Sequence, residues 1–162
     1  MSAQPPHSNA EIDLFLAHAL RCMPVARQAV TDLKLNYFFD GSEIPQKMIW
    51  GCALEFWRNN GLREMPVEHL YSALQARMDE LPEFNEPVMR NDVMQTAYRA
   101  YCVPPESLIE AEGLKQLEDF ILVRAATPKM REAMETGPEG IRNFISDLRE
   151  MGVSATPQVS AD

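Results

Sequence analysis

Residues 35–76 read LNYFFDGSEIPQKMIWGCALEFWRNNGLREMPVEHLYSALQA. An aromatic cluster leads into the turn-forming residues 40–42, and Pro45 follows where a first helical residue is expected, because its fixed φ suits a helix and its missing N–H is not needed there. Between residues 46 and 60 the large apolar residues recur at spacings of three and four, which predicts an amphipathic helix. Gly61 predicts its end, because glycine takes positive φ easily.

Pro66 begins a second helix with the same apolar rhythm, and two helices joined this briefly must pack against each other. The same periodicity predicts further helices from Ala10 to a break at Pro24, from Pro87 to Val103, from Pro105 to a kink or end at Pro128, and from Glu139 to Met151.

No stretch alternates apolar and polar residues with β-branched enrichment, so the sequence predicts an all-α protein. We expect a compact multi-helix globular subdomain over residues 9–105 and a C-terminal antiparallel helical hairpin over residues 106–152. Residues 1–8 are predicted to be a disordered N-terminal tail, and residues 153–162 a flexible tail or linker.

The formal net charge is −9, and the 15 Lys and Arg residues are dispersed, with 7 before Pro82 and 8 after it. Strong direct nucleic-acid binding is therefore not expected, because its affinity comes mainly from basic residues that neutralise phosphates. The sequence shows neither a secretory signal nor an apolar run that could span a bilayer, so we expect no membrane association and a cytoplasmic location.

Cys22, Cys52 and Cys102 are widely separated, so neither a disulfide framework nor a zinc site is predicted, and we expect buried, reduced thiols. The histidines, at positions 7, 18 and 69, lack metal-ligand spacing, and structural or exposed roles are expected for them.

The sequence contains no phosphate-binding loop and no convincing catalytic constellation. Acidic pairs such as Glu110 and Glu112 are expected to be solvated helix surface rather than an acid–base pair. We therefore expect a protein that is not an enzyme and that has no catalytic residues, no metal site and no cofactor.

Two tryptophans, Trp50 and Trp57, lie seven residues apart on the predicted helix 46–60 and therefore on nearly the same face. Such residues supply large contact areas both in cores and in protein interfaces. The core role is favoured, and an exposed interface role stays open.

The order of parts in residues 35–76 resembles the N-terminal domain of hexameric replicative DNA helicases, the DnaB-like family. In that family an aromatic segment precedes a helix that ends in glycine, and a Pro-Val/Ile-acidic start introduces the next helix. The matching segments here are residues 37–39, the helix 46–60 with Gly61, residues 66–74, the opening helix at residues 10–16, and residues 117–134, which look like the first arm of the family's helical hairpin. The chain departs from the family at Gln46, where a histidine is common, and in residues 81–105, which lack glycine.

The resemblance implies a non-catalytic assembly domain of DNA replication, in which hairpins pair into dimers and dimers close into a ring collar. A dimer or a trimer of dimers would then offer a platform to a primase or a helicase loader. The hairpin alone also favours self-association, because its two helices carry more apolar surface than one subunit can cover. The residues expected to form the pairing face are Leu117, Phe120, Met130, Ile141, Phe144 and Leu148.

A second hypothesis belongs to another class of protein. A small helical adaptor or regulator, of phage or plasmid type, would bind a single protein partner, for example a host helicase. A monomer in solution would favour this adaptor over the collar.

Overall fold

The computed structural model describes residues 9–39 and 41–150, apart from the side chains at positions 9, 126–134, 136, 144 and 148. These residues form α-helices and short 3-10 helices with no strand among them, which confirms the predicted all-α class. The α-helices are α1 (Asn9–Arg21), α2 (Met23–Asp32), α3 (Ile44–Asn60), α4 (Val67–Asp79), α5 (Pro87–Cys102), α6 (Glu110–Thr136) and α7 (Pro138–Glu150). The predicted tails at 1–8 and 153–162 lie outside the described residues.

Proline and glycine set several helix bounds as the sequence predicts. Pro45 lies in the first turn of α3, and Gly61 ends that helix with a φ of 79° while its N–H donates to the Trp57 carbonyl at 2.9 Å. The sequence predicts a break at Pro24, and the structure has this break two residues earlier: α1 ends at Arg21, and Pro24 lies in the first turn of α2. A proline is tolerated there, since the first N–H groups of a helix have no partner within it.

The start of α6 also differs from the prediction. Residues 105–107 form a short 3-10 turn, and the helix begins at Glu110. Just before it, the Ile109 N–H donates to Nε2 of His18 at 3.0 Å, and the Ile109 carbonyl accepts the first helical bond from the Gly113 N–H at 2.9 Å. A side chain from α1 therefore fixes where α6 begins. The helix then continues through Pro128 to Thr136, so Pro128 does not end it.

The chain divides into two units, of which the first runs to Leu117 and the second begins at Glu118, later than the predicted boundary at 105. In the first unit α3 packs against α4 and α5, and α1 packs against α2 and α5. Its core is apolar and aromatic, and its largest fully buried side chains include Ile12, Leu16, Leu20, Ile49, Trp50, Met65, Leu70, Leu74 and Met78. The part of α6 that follows Leu117 belongs to the second unit, where it is joined to α7 through Gly137, which has a φ of 86°.

Further long-range side-chain hydrogen bonds hold loops of the first unit. The indole Nε1 of Trp50 donates to the Leu33 carbonyl at 3.1 Å, and the Tyr101 hydroxyl donates to the Met65 carbonyl at 2.8 Å. Arg21 donates to the Val103 carbonyl at 2.6 Å, just beyond the end of α5. Each bond satisfies a backbone group that lies outside the helical ladders.

Candidate docking surfaces

Both described histidines have structural surroundings. His18 is fully buried, with Nε2 accepting from the Ile109 N–H at 3.0 Å and Nδ1 lying 3.1 Å from the Leu14 carbonyl, so this pattern assigns the donating N–H to Nδ1. His69 packs edge-on against Phe56 with 4.6 Å between ring centroids. Among the described residues, no group of three or more His, Cys, Asp or Glu side chains is placed to bind a metal ion.

The three cysteines have different surroundings. Cys52 is buried, and burial raises the pKa of its thiol, with Glu55 adding to the increase and Arg77 opposing it. Cys22 is half-buried and Cys102 is exposed, so the expectation of buried thiols holds for Cys52 and is wrong for Cys102. Cys102 lies at the last position of α5, where the helix meets a solvent-facing loop.

An open groove of about 370 Å³ lies between α2 and α3. Its lining residues come from α2, from α3 and from the loop that follows α3, and they are Arg27, Val30, Thr31, Leu54, Trp57, Arg58 and Leu62. The groove forms because α2 packs mainly against α1, whereas α3 packs mainly against α4 and α5. We call it the α2–α3 groove.

The floor of the α2–α3 groove is apolar and its charge is positive. Val30 lies outside the buried face of α2 and is 43 % exposed, so it offers apolar surface to the groove. Trp57 is 6 % exposed, and its indole Nε1 already donates to the Arg63 carbonyl at 2.7 Å, so the ring contributes apolar surface to the groove. The lining includes two arginines and no carboxylate.

Arg27 and Arg58 differ from most arginines of the chain in having no partner among the described residues. Other arginines bind backbone carbonyls, carboxylates or aromatic rings, namely Arg21, Arg63, Arg77, Arg90, Arg99 and Arg124. In a protein with 24 acidic residues, two unpaired guanidinium groups at one groove form a local positive surface.

The residues predicted to form the pairing face have different positions. Leu117 and Phe120 are buried, at 2 % and 1 % exposure, so a single chain does not present them at its surface. Ile141 is 44 % exposed, and so is Ile145, one turn further along α7. The side chains of the other three predicted residues, Met130, Phe144 and Leu148, lie outside the described residues. Their role in pairing stays a prediction.

Sequence reasoning missed the α2–α3 groove. A local signal was present, because the pairs Arg27 with Val30 and Leu54 with Arg58 each place an apolar residue beside an arginine on one helix face. That signal gains meaning when the two helices line one groove, which the sequence alone does not show.

The chain matches no protein-family model, no curated protein and no solved structure. Across residues 9–39 and 41–150, no helix is both long enough and apolar enough to cross a bilayer.

Proposed function

We propose that this protein is a non-catalytic helical assembly and docking domain that associates with further copies of itself through α7, as a dimer or a trimer of dimers. The observation that carries the proposal is the apolar face of α7. Ile141 and Ile145 are each 44 % exposed and lie four residues apart, so they project from the same side of the helix. In the sequence, Phe144 and Leu148 continue the same stripe.

Burial of this stripe against another copy is favourable, because each Å² of apolar surface removed from water contributes about 25 cal/mol. Two exposed isoleucines on one short helix face are more than the isolated surface residues that any soluble protein carries. The resemblance to the collar domain of replicative helicases supports a second copy as the partner, since hairpins pair in that family. A ring collar that docks a primase or a helicase loader during DNA replication is the finer form of the proposal, and it rests on the resemblance.

Mass in solution tests the self-association. Light scattering after size-exclusion chromatography, at tens of micromolar chain, is expected to give a dimer or a hexamer for the wild type. The double variant Ile141→Glu/Ile145→Glu is expected to be monomeric, because it places charges on the paired face. The control Asn143→Glu/Ser146→Glu adds the same charge to exposed positions on the opposite side of α7 and is expected to keep the oligomer. A monomeric wild type over this concentration range contradicts the proposal.

A second candidate function is favoured by a specific observation, the positively charged α2–α3 groove. An adaptor or regulator that binds a single protein partner would use such a groove without forming a ring. A monomeric wild type that still binds a partner through Arg27 and Arg58 would select this function over the collar.

A further inference from the structure

We propose that the α2–α3 groove binds an acidic amphipathic helix of another protein, with aliphatic side chains facing the groove floor and carboxylates facing Arg27 and Arg58. This binding site is independent of the self-association through α7, since it uses other residues.

The shape of the groove favours a helical ligand. The groove is open to solvent, and its lining comes mainly from two helices, with residues 27, 30 and 31 from α2 and residues 54, 57 and 58 from α3. Because the residues on each helix are three or four apart, each helix offers one side to a ligand, and a ligand helix can contact that side at the usual axial distance of about 8–10 Å. Recognition of this kind uses apolar anchors at i, i+3 or i+4, and i+7 on the bound helix. A volume of about 370 Å³ falls in the range of specific binding sites and holds anchoring side chains rather than a whole domain.

The groove floor favours aliphatic anchors. Val30, Leu54 and Leu62 offer branched apolar surface, and Trp57 adds indole surface whose polar N–H already donates to the Arg63 carbonyl. Apart from Arg27 and Arg58, the lining offers a polar anchor the Thr31 hydroxyl, and burying a polar group without a partner is unfavourable. Leucine-type anchors therefore fit best.

The charge of the groove favours carboxylates. Arg27 and Arg58 line the groove without a carboxylate beside them in the lining, so an acidic ligand is attracted to both guanidinium groups. Arginine binds carboxylates through two parallel hydrogen bonds, which also orients the ligand. The net charge of −9 opposes an acidic ligand at long range, but at physiological salt the screening length is about 8 Å, so the groove dominates once the ligand is in contact.

The same arginines do not make the groove a nucleic-acid site. Two positive charges neutralise few phosphates, whereas nucleic-acid affinity grows with the number of phosphates that are contacted. The acidic remainder of the surface would repel a long polyanion along most of its length.

The apolar face of α7 does not supply the ligand, because Arg142 and Arg149 lie along one edge of that face. Those arginines would meet Arg27 and Arg58 in a complex. The charge pattern thus points to a different, acidic partner.

Fluorescence anisotropy with a synthetic peptide tests the proposal on the full chain. The probe is a fluorescein-labelled, end-capped peptide of about 16 residues, with Leu at i, i+4 and i+7 and Glu on both flanks of that stripe. A second peptide carries Lys in place of Glu. The wild type is expected to bind the Glu peptide at least about tenfold more tightly than the Lys peptide, since two charge pairs change sign.

Charge reversal at the groove is the decisive change. Arg27→Glu/Arg58→Glu is expected to weaken binding of the Glu peptide by at least about tenfold and to gain affinity for the Lys peptide. The matched control Arg142→Glu/Arg149→Glu alters net charge by the same amount at two exposed positions on α7 and is expected to leave both affinities unchanged. Equal losses in the two double variants would show an effect of net charge and would overturn the proposal.

A second pair of variants tests the apolar floor. Val30→Asn is expected to weaken binding of the Glu peptide several-fold, and Val88→Asn, at a valine that is 77 % exposed on α5, to have no effect. Circular dichroism checks that both variants remain folded. If Val30→Asn binds the Glu peptide as tightly as Val88→Asn does, the proposed apolar floor is refuted. If a single-stranded oligonucleotide binds with the same dependence on Arg27 and Arg58, the proposal of a helical peptide as the ligand is refuted.

Discussion

Alanine at Gly113 and alanine at Gly51 are expected to change stability in opposite directions. Both glycines lie inside helices of the first unit, where Gly→Ala normally stabilises a protein by about 0.5–1 kcal/mol. A Cβ at Gly51 would meet the Leu35 side chain at 3.8 Å, which is ordinary van der Waals contact. Gly51→Ala should therefore stabilise the protein by about the full amount, 0.5–1 kcal/mol.

A Cβ at Gly113 would lie 2.7 Å from Cδ2 of His18 and 2.7 Å from Cγ2 of Val25. Neither neighbour can move away easily, because His18 is buried with hydrogen bonds at both ring nitrogens and Val25 is buried and β-branched. Overpacking of this kind costs about 1–3 kcal/mol, which exceeds the helix-propensity gain. Subtracting the helix-propensity gain of about 0.5–1 kcal/mol from this overpacking cost leaves a net loss. We therefore expect Gly113→Ala to destabilise the protein by about 1 kcal/mol.

Urea unfolding followed by tryptophan fluorescence measures both variants, since Trp50 and Trp57 belong to the same unit as the two glycines. The expected gap between the variants is about 1–3 kcal/mol, or several degrees in melting temperature for a chain of this size. If Gly113→Ala proves as stable as Gly51→Ala, the close packing of α6 against His18 and Val25 is refuted.

Two further predictions concern titratable side chains. At pH 8 a thiol reagent should modify the exposed Cys102 readily and the buried Cys52 at least about tenfold more slowly. The reason is that burial both shields the Cys52 thiol and raises its pKa. Mass spectrometry follows the two rates, and equal rates would contradict this prediction. Burial also raises the pKa of the Tyr101 hydroxyl. The stability that the neutral hydroxyl contributes is therefore present below the ordinary tyrosine pKa of about 10, and it is lost as the pH rises above that value. Tyr101→Phe should lower stability by about 1 kcal/mol at pH 7, because it removes the hydrogen bond to the Met65 carbonyl. In urea titrations between pH 9 and about 11, this variant should lose less stability than the wild type. Equal losses in the two proteins would contradict the role of the neutral hydroxyl.

Features set by local backbone chemistry could be predicted from the sequence. The bounds of α3 follow from Pro45 and Gly61, and the bounds of α5 follow from Pro87 and the prolines after Cys102. In each case a residue with restricted or unusual φ acts on its own helix, so no knowledge of the tertiary fold is needed.

Features set by contacts between distant segments could not be predicted in this way. The start of α6 depends on His18, which lies 91 residues before Ile109 in the chain. The α2–α3 groove likewise needs Arg27 and Arg58 on neighbouring helices. Periodicity identifies which face of a helix is apolar, but it does not identify the residue that meets that face.

The two tryptophans of α3 show where this limit affects functional interpretation. Their spacing of seven residues correctly places them on one face, and their rings meet edge to face with centroids 5.5 Å apart. Trp50 is completely buried, as the core role requires, whereas Trp57 is buried and also lines the α2–α3 groove. Burial in the core therefore does not exclude contact between Trp57 and a ligand in the groove, and the interface role stays a prediction. Because Trp57 rests against the fully buried Trp50, the groove floor is held by the core, and a ligand would meet a surface that needs little ordering on binding.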